Sequence, residues 1–320
     1  MKDIVLAADL GGTNLRMAAV SKNGDIHTHV KRKTPASKTS KDIVSIVTSA
    51  AKECVAGLNS VPEAIAIAVP GTISSRTGAI TRAPNIPGLD RFDLVAALNE
   101  ECRYPVIIEN DANAAAIGEN WLGSSKDSDT SIMVTLGTGV GGGIIIDGKI
   151  LRGLDGTAGE IGHVSVEPNG LPCGCGSFGC LEQYASATAV INMALKAVES
   201  DPEINPPPGR IHDAETVFRI AESGEGWARD IFERQGFYLG IVVAGLINCL
   251  NPEVIVIGGG AAAAWDAFMP ALKEQVVKRT YADACARARI VPAALGDNAG
   301  ILGVARLGFE KVRSGLDVVV

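Results

Sequence analysis

The 320-residue chain is long enough for two compact domains, each with a buried core of its own, and so for a cleft between them. Its 29 lysines and arginines stand against 36 aspartates and glutamates, and the net charge of -7 excludes a surface built to neutralise a phosphate backbone; nucleic acid is not an expected partner. No apolar run approaches the roughly 20 residues that span a bilayer, and the N-terminus turns into a strand and a glycine pair too quickly for a signal peptide, so a cytoplasmic protein without a membrane partner is expected.

In chain order, residues 4–9 read as an apolar strand ending at Gly11-Gly12, and residues 15–20 and 26–30 follow as strands turned by Asn23-Gly24. This is a meander, not a strand-helix-strand unit. Ile43, Val47, Ala50, Ala51 and Val55 recur at helical spacing and predict a helix over 43–58, and residues 64–69 read as a buried strand halted by Pro70-Gly71. A short helix at 92–100, a strand at 106–109 and a helix at 112–121 lead to the polar, turn-rich GSSKDSD of 123–129, where a domain boundary is expected. The same grammar then restarts with a strand at 131–136, a glycine run, and a strand at 143–146 turned by Asp147-Gly148, which suggests two related halves. Helices follow at 186–199, 212–223 and 227–249, with the prolines of 201–210 marking a surface loop. Strands at 254–257 and 289–291 precede a last helix over 299–311, which Gly296-Asp297-Asn298 can cap.

Two glycine turns lie at strand ends. In Asp9-Leu10-Gly11-Gly12-Thr13-Asn14, backbone N–H groups can approach an anion without a Cβ in the way, Thr13 can donate a hydroxyl, and Asp9 can organise a magnesium ion through water. The run from Gly137, Thr138 and Gly139 to Gly143 holds five glycines in seven residues, an entropic cost that a ligand explains better than a hairpin does. Neither turn fits the P-loop or the dinucleotide-binding pattern, and together they point to one nucleotide. Asp111, at a strand end and a helix start, is placed as a general base for a hydroxyl would be, or as a simple helix cap.

His163 with Cys173, Cys175 and Cys180 forms a Cys3His set, suited to a structural zinc with no open coordination position; a disulfide framework fits the count of seven cysteines less well. Glu160 and Glu182 flank this set, so a metal that fixes the loop also fixes two carboxylates able to accept hydrogen bonds from sugar hydroxyls.

DLGGTN, ENDAN, LGTGVGGG, GEIGHV, CGCGSFGCLE and IVIGGG, collinear over nearly the whole chain, resemble the ROK family of repressors, open reading frames and sugar kinases. The resemblance implies an α/β, two-domain actin-like ATPase (ribonuclease H-like) fold with a structural zinc loop in the larger domain. It implies a smaller domain over 1–122, a larger one over 123–298, a C-terminal segment 299–320 that packs back on the first, and a sugar in the cleft. By resemblance, Asp111 is the catalytic base, and Asn85, Asn110, Glu160, His163 and Glu182 are sugar ligands. Asp9, Gly11, Gly12, Thr13, Asn14, Gly137, Thr138 and Gly139 hold phosphates, and Gly258, Gly259 and Gly260 the nucleoside side. The implied cofactors are ATP, Mg2+ and structural Zn2+, and the implied assembly is a homodimer.

The segment Ala83-Pro84-Asn85-Ile86-Pro87-Gly88 and GEIGH resemble the glucose-specific kinases of the family, with N-acetylmannosamine kinases, then fructokinases and N-acetylglucosamine kinases, as alternatives. Family repressors carry an extra N-terminal DNA-binding segment, for which a first strand at residue 4 leaves no room. A sugar-binding module without catalysis is disfavoured, since both glycine turns and the ENDAN aspartate are intact.

Overall fold

The computed structural model describes residues 3–58, 60–204 and 211–315. Those residues fall into two compact units: one runs to Asp129 and takes in Gly143–Gly159 and the chain from Ala294, while the other consists of Thr130–Gly142 and Glu160–Ala293. A single boundary near residue 122 does not describe this division. The glycine run carries the chain back onto the first unit, where Gly143 lies so close to Asn113 and Ala116 that a side chain would not fit.

In the first unit, β1 (Ile4–Leu10), β2 (Asn14–Ser21) and β3 (Ile26–Lys33) form the expected antiparallel meander. Helix α1 (Ser40–Ala56) follows, then β4 (Ala64–Val69), the short pair β5 (Thr72–Ile73) and β6 (Ile80–Arg82), α2 (Leu94–Glu101), β7 (Val106–Asn110) and α3 (Asp111–Leu122). The sheet order is β3-β2-β1-β4-β7, with β1, β4 and β7 parallel. Alternation along β1 sends Leu6, Ala8 and Leu10 to one face and Val5 and Ala7 to the other, and both faces are covered. The first face packs on Ile43 and Val47 of α1 and on Leu94 and Leu98 of α2. Each such side chain contributes about 1.5–3 kcal/mol on full burial.

Helix α1 starts where Thr39 accepts the Asp42 N–H at 3.2 Å, and the Asp42 carboxylate in turn takes the Ser37 and Thr39 hydroxyls, which hold its pKa below the usual range. The second face of the sheet is closed by α3 together with the last helix of the chain, which brings Ile301, Val304 and Ala305 against Ala66, Ala68 and Ala114. Glycine decides that approach: a Cβ on Gly303 would stand 1.7 Å from the Ala114 carbonyl oxygen.

After β8 (Ser131–Leu136), β9 (Val140–Ile146) begins three residues before the expected 143 and runs from the second unit into the first, where it turns into β10 (Lys149–Ile150). The remaining elements are α4 (Glu182–Ala185), α5 (Ala187–Ser200), α6 (Ala214–Glu222), α7 (Gly226–Leu250), β11 (Val254–Gly258), α8 (Trp265–Arg279), α9 (Ala282–Arg287), β12 (Arg289–Pro292) and α10 (Ala299–Ser314). The second sheet has the order β10-β9-β8-β11-β12, the same relative order as the first, with β8, β11 and β12 parallel. The repeat legible in the sequence is thus a repeat of topology.

Three expectations need correction or restriction. Asn298 precedes α10 but makes no capping hydrogen bond with its side chain. Helices α8 and α9 were not anticipated. Residues 205–210 of the expected loop and 316–320 of the C-terminal segment lie outside the described residues. Among the described residues, no helix is long and apolar enough to cross a membrane.

Candidate active site

In the first unit, the carboxyl ends of the three parallel strands bring the candidate residues to one edge of the sheet. Asp9 of β1 pairs in register with Ala68 of β4, which in turn pairs with Glu109 of β7. Ligands of open α/β sheets bind beyond this edge. The turn that follows β1 is closed by its own backbone, Gly11 N–H to Asn14 C=O at 2.8 Å, and is braced from beyond β3 by the Thr34 hydroxyl on the Gly11 carbonyl at 2.6 Å. Asn85 lies against Gly12: a Cβ at residue 12 would come within 3.2 Å of it. Lys38, which sequence reasoning missed, donates from Nζ to the Asn85 carbonyl at 2.8 Å. Arg16, directly opposite Asp9 on β2, holds it at 2.6 Å and Asp297 at 2.7 Å.

The helix cap of α3 is Asn110 and not Asp111. The Asn110 side-chain oxygen accepts the N–H groups of Ala112 and Asn113 at 2.9 and 3.0 Å, and its amide donates to Gly71 C=O at 3.0 Å, which leaves one amide N–H for a ligand. Asp111 is therefore the first helical residue, exposed, with its carboxylate against its neighbour's N–H at the positive end of the helix dipole. Below it, buried Glu109 accepts from Asn110 N–H, Asn113 Nδ2 and twice from Arg152, at 2.9 and 2.6 Å. That partly buried pair anchors the β7–α3 junction. Arg152 stands 43 residues away in sequence and carried no local signal.

In the second unit, the loop Gly137–Gly139 leaves β8 beside the glycines that end β11. Gly259 adopts φ +90° with the Leu136 backbone packed against it, so the two glycine segments meet. Glu182, first residue of α4, accepts the Val140 N–H at 3.0 Å, and its carboxylate fills the space where a Cβ of residue 139 would stand, 2.2 Å away. Ala187 N–H and Thr188 Oγ1, at the start of α5, donate to the carbonyls of Gly137 and Thr138 at 2.9 and 2.7 Å.

The donor atoms of His163, Cys173, Cys175 and Cys180 all lie within 4.8 Å of one another. Cys175 and Cys180 sulfurs are 3.6 Å apart, and Cys173 Sγ is 3.7 Å from His163 Nδ1. A tetrahedral zinc with Zn–S near 2.3 Å sets sulfurs roughly 3.8 Å apart, so the donor set fits the ion, with no position left for a reactive water. Gln183 Nε2 adds a hydrogen bond to Cys173 Sγ at 3.6 Å. The thiols are unequal: burial pushes Cys180 up to about 12, while a backbone hydrogen bond from Ser177 holds exposed Cys175 below the usual range. With Nδ1 facing the sulfurs, His163 turns Nε2 towards the Glu160 carboxylate, 3.9 Å away. Although 42% of the Glu160 side chain is exposed, desolvation raises its carboxyl above the usual range, with His163 opposing and Glu182 adding to the shift.

A twice-repeated sheet order, glycine turns at the strand ends and a Cys3His cluster that fits a structural zinc define an α/β protein of the actin-like, ribonuclease H-like class. The ROK family model matches residues 5–311, and the chain belongs to the ROK family. It is 37% identical over 306 residues to a glucokinase of Halalkalibacterium halodurans, covering 93% of this chain and 92% of that protein. The crystal structure of a ROK hexokinase from Thermus thermophilus is similar with a TM-score of 0.83 at 32% identity, over 98% of this chain and all (100%) of that one. A ROK family glucokinase from Streptomyces griseus, solved in complex with glucose and AMPPNP, is similar with a TM-score of 0.82 at 31% identity, over 96% and 99% of the two chains.

Proposed function

We propose that the protein is an ATP-dependent hexose kinase, a glucokinase that transfers the γ-phosphate of ATP to the 6-hydroxyl of glucose, with Asp111 as general base. The observation that carries this reading is the β7–α3 junction. Because Asn110 caps the helix, Asp111 is its first residue and sets its carboxylate at the positive end of the helix dipole, on a junction that Glu109 and Arg152 hold together. In the reaction, Asp111 takes the proton from the glucose hydroxyl as its oxygen bonds to the γ-phosphorus, and the bond to the β-phosphate oxygen breaks to release ADP.

Asn85 and Asn110 are the proposed hydroxyl ligands of the first unit, and Glu160, His163 and Glu182 those of the second. Gly11, Gly12, Thr13 and Asn14, with Gly137, Thr138 and Gly139, are the proposed phosphate contacts, and Gly258, Gly259 and Gly260 the proposed nucleoside contacts. Magnesium, when bound, neutralises phosphate charge, and Asp9 is the residue to hold it through water, oriented by Arg16. Zinc, when bound, is structural: His163, Cys173, Cys175 and Cys180 hold it, and Glu160 and Glu182 are set in place at the two ends of the loop. A cytoplasmic homodimer is the proposed state, and light scattering should return twice 33.1 kDa.

The test is ADP release with ATP over glucose, mannose, fructose, glucosamine, N-acetylglucosamine and N-acetylmannosamine. Glucose is expected to give the highest kcat/KM. A higher value for N-acetylmannosamine or fructose would overturn the choice of sugar, and no ADP release with any of them would overturn the kinase reading.

A further inference from the structure

The peptide groups of the second glycine loop can be followed one by one. Gly137 N–H donates to Gly139 C=O at 3.0 Å, Gly137 C=O accepts Ala187 N–H at 2.9 Å, Thr138 C=O accepts Thr188 Oγ1 at 2.7 Å, and Val140 N–H donates to Glu182 at 3.0 Å. In a trans peptide the carbonyl and the next N–H point in opposite directions. Two successive carbonyls drawn to the start of α5 therefore turn the N–H groups of Thr138 and Gly139 away from that helix. Neither of these N–H groups donates a hydrogen bond among the described residues. Adjacent N–H groups that face one way form an anion-binding concavity.

Of the two carbonyl contacts, one comes from helix backbone and would survive any side-chain change. The other depends on a single hydroxyl. Thr188 is the second residue of α5, its side chain is exposed, and Ser186 rather than Thr188 caps the helix by accepting Ala189 N–H at 3.0 Å. The Thr188 hydroxyl is therefore not needed for the helix itself.

Resting on the kinase reading above, we infer that Thr188 is a positioning residue for the phosphoryl donor: its hydroxyl holds the Thr138 carbonyl back and so presents the Gly139 N–H to a nucleotide phosphate. Gly139 has no Cβ to resist rotation of that peptide, so the hydroxyl is the restraint. Valine keeps the shape of threonine without the donor, and serine keeps the donor.

The test compares zinc-loaded wild type, Thr188→Val and Thr188→Ser by KM for ATP, KM for glucose, and melting temperature. For one hydrogen bond, Thr188→Val should raise KM for ATP roughly five- to tenfold with KM for glucose and the melting temperature unchanged, and Thr188→Ser should return KM for ATP to within about twofold of wild type. An unchanged KM for ATP in Thr188→Val would overturn the inference. So would a loss shared by both substrates with a lower melting temperature, since that marks a structural role. Failure of the kinase reading is a separate result, wild-type protein that transfers nothing from ATP to any sugar, and the inference falls with it.

Discussion

The two glycine turns hold corresponding places in two sheets of the same order, and they are stabilised by opposite means. The Gly11–Asn14 turn closes on itself and is braced by Thr34, just beyond the end of β3. The Gly137–Gly139 loop makes one bond within itself and otherwise depends on Glu182, Ala187 and Thr188, residues that begin just after the last cysteine of the metal loop. The first turn is therefore a local structure, whereas the second takes its geometry from residues that follow the Cys3His loop. Chain proximity is the physical reason. Gly11 finds Asn14 within the turn and Thr34 23 residues on, whereas the second loop depends on elements 42 to 50 residues later.

The largest effect should come from a residue that belongs to neither turn. Asp111→Asn removes the proposed base while leaving the cap of α3 to Asn110, so kcat should fall by about 10²- to 10⁴-fold in steady-state assays with sugar affinity kept. A near wild-type kcat would sink the assignment. Next is removal of the metal. Exhaustive chelation, or Cys180→Ser, should lower the melting temperature and raise KM for ATP, because Glu182 and α5 lose their anchor; hydrogen exchange should show the loss of protection at the amides of Gly137 and Val140 and not at that of Gly11. Equal loss at both turns would break the comparison.

A smaller effect is expected of Gly139→Ala, whose Cβ would stand 2.2 Å from the Glu182 carboxylate. KM for ATP should rise, and combining it with Glu182→Ala should cost less than the two changes added, which a double-mutant cycle measures. The smallest effect is that of Thr34→Val. Loss of one partly buried hydrogen bond at the self-closed turn should cost about 0.5–1.5 kcal/mol in denaturant titration, with little change in KM for ATP. A change as large as that of metal removal would show that the first turn is not self-sufficient.

Features carried by neighbouring residues were legible in the sequence. Strands bounded by Gly, Pro and Asn-Gly turns, the period of α1, four metal donors within 18 residues and the repeat of strand, glycine turn and strand all depend on short-range spacing. Helix α8 was not legible because Pro270 lies inside it; tertiary burial of Phe268, Leu272 and Val276 sustains a helix that local propensity argues against. Likewise the sequence offered Asp111 as a possible helix cap, and only the packed β7–α3 junction gave that role to Asn110.

By itself, then, the sequence determined the residue types at the site, their order and the chemistry open to them. The tertiary structure alone decided which backbone carbonyl meets Thr188, which N–H meets Glu182, and that Arg152 lies under the helix of Asp111. The physical reason is that such hydrogen bonds are satisfied wherever folding brings a donor to an acceptor, and separations of 42, 43 and 50 residues leave no trace in local spacing.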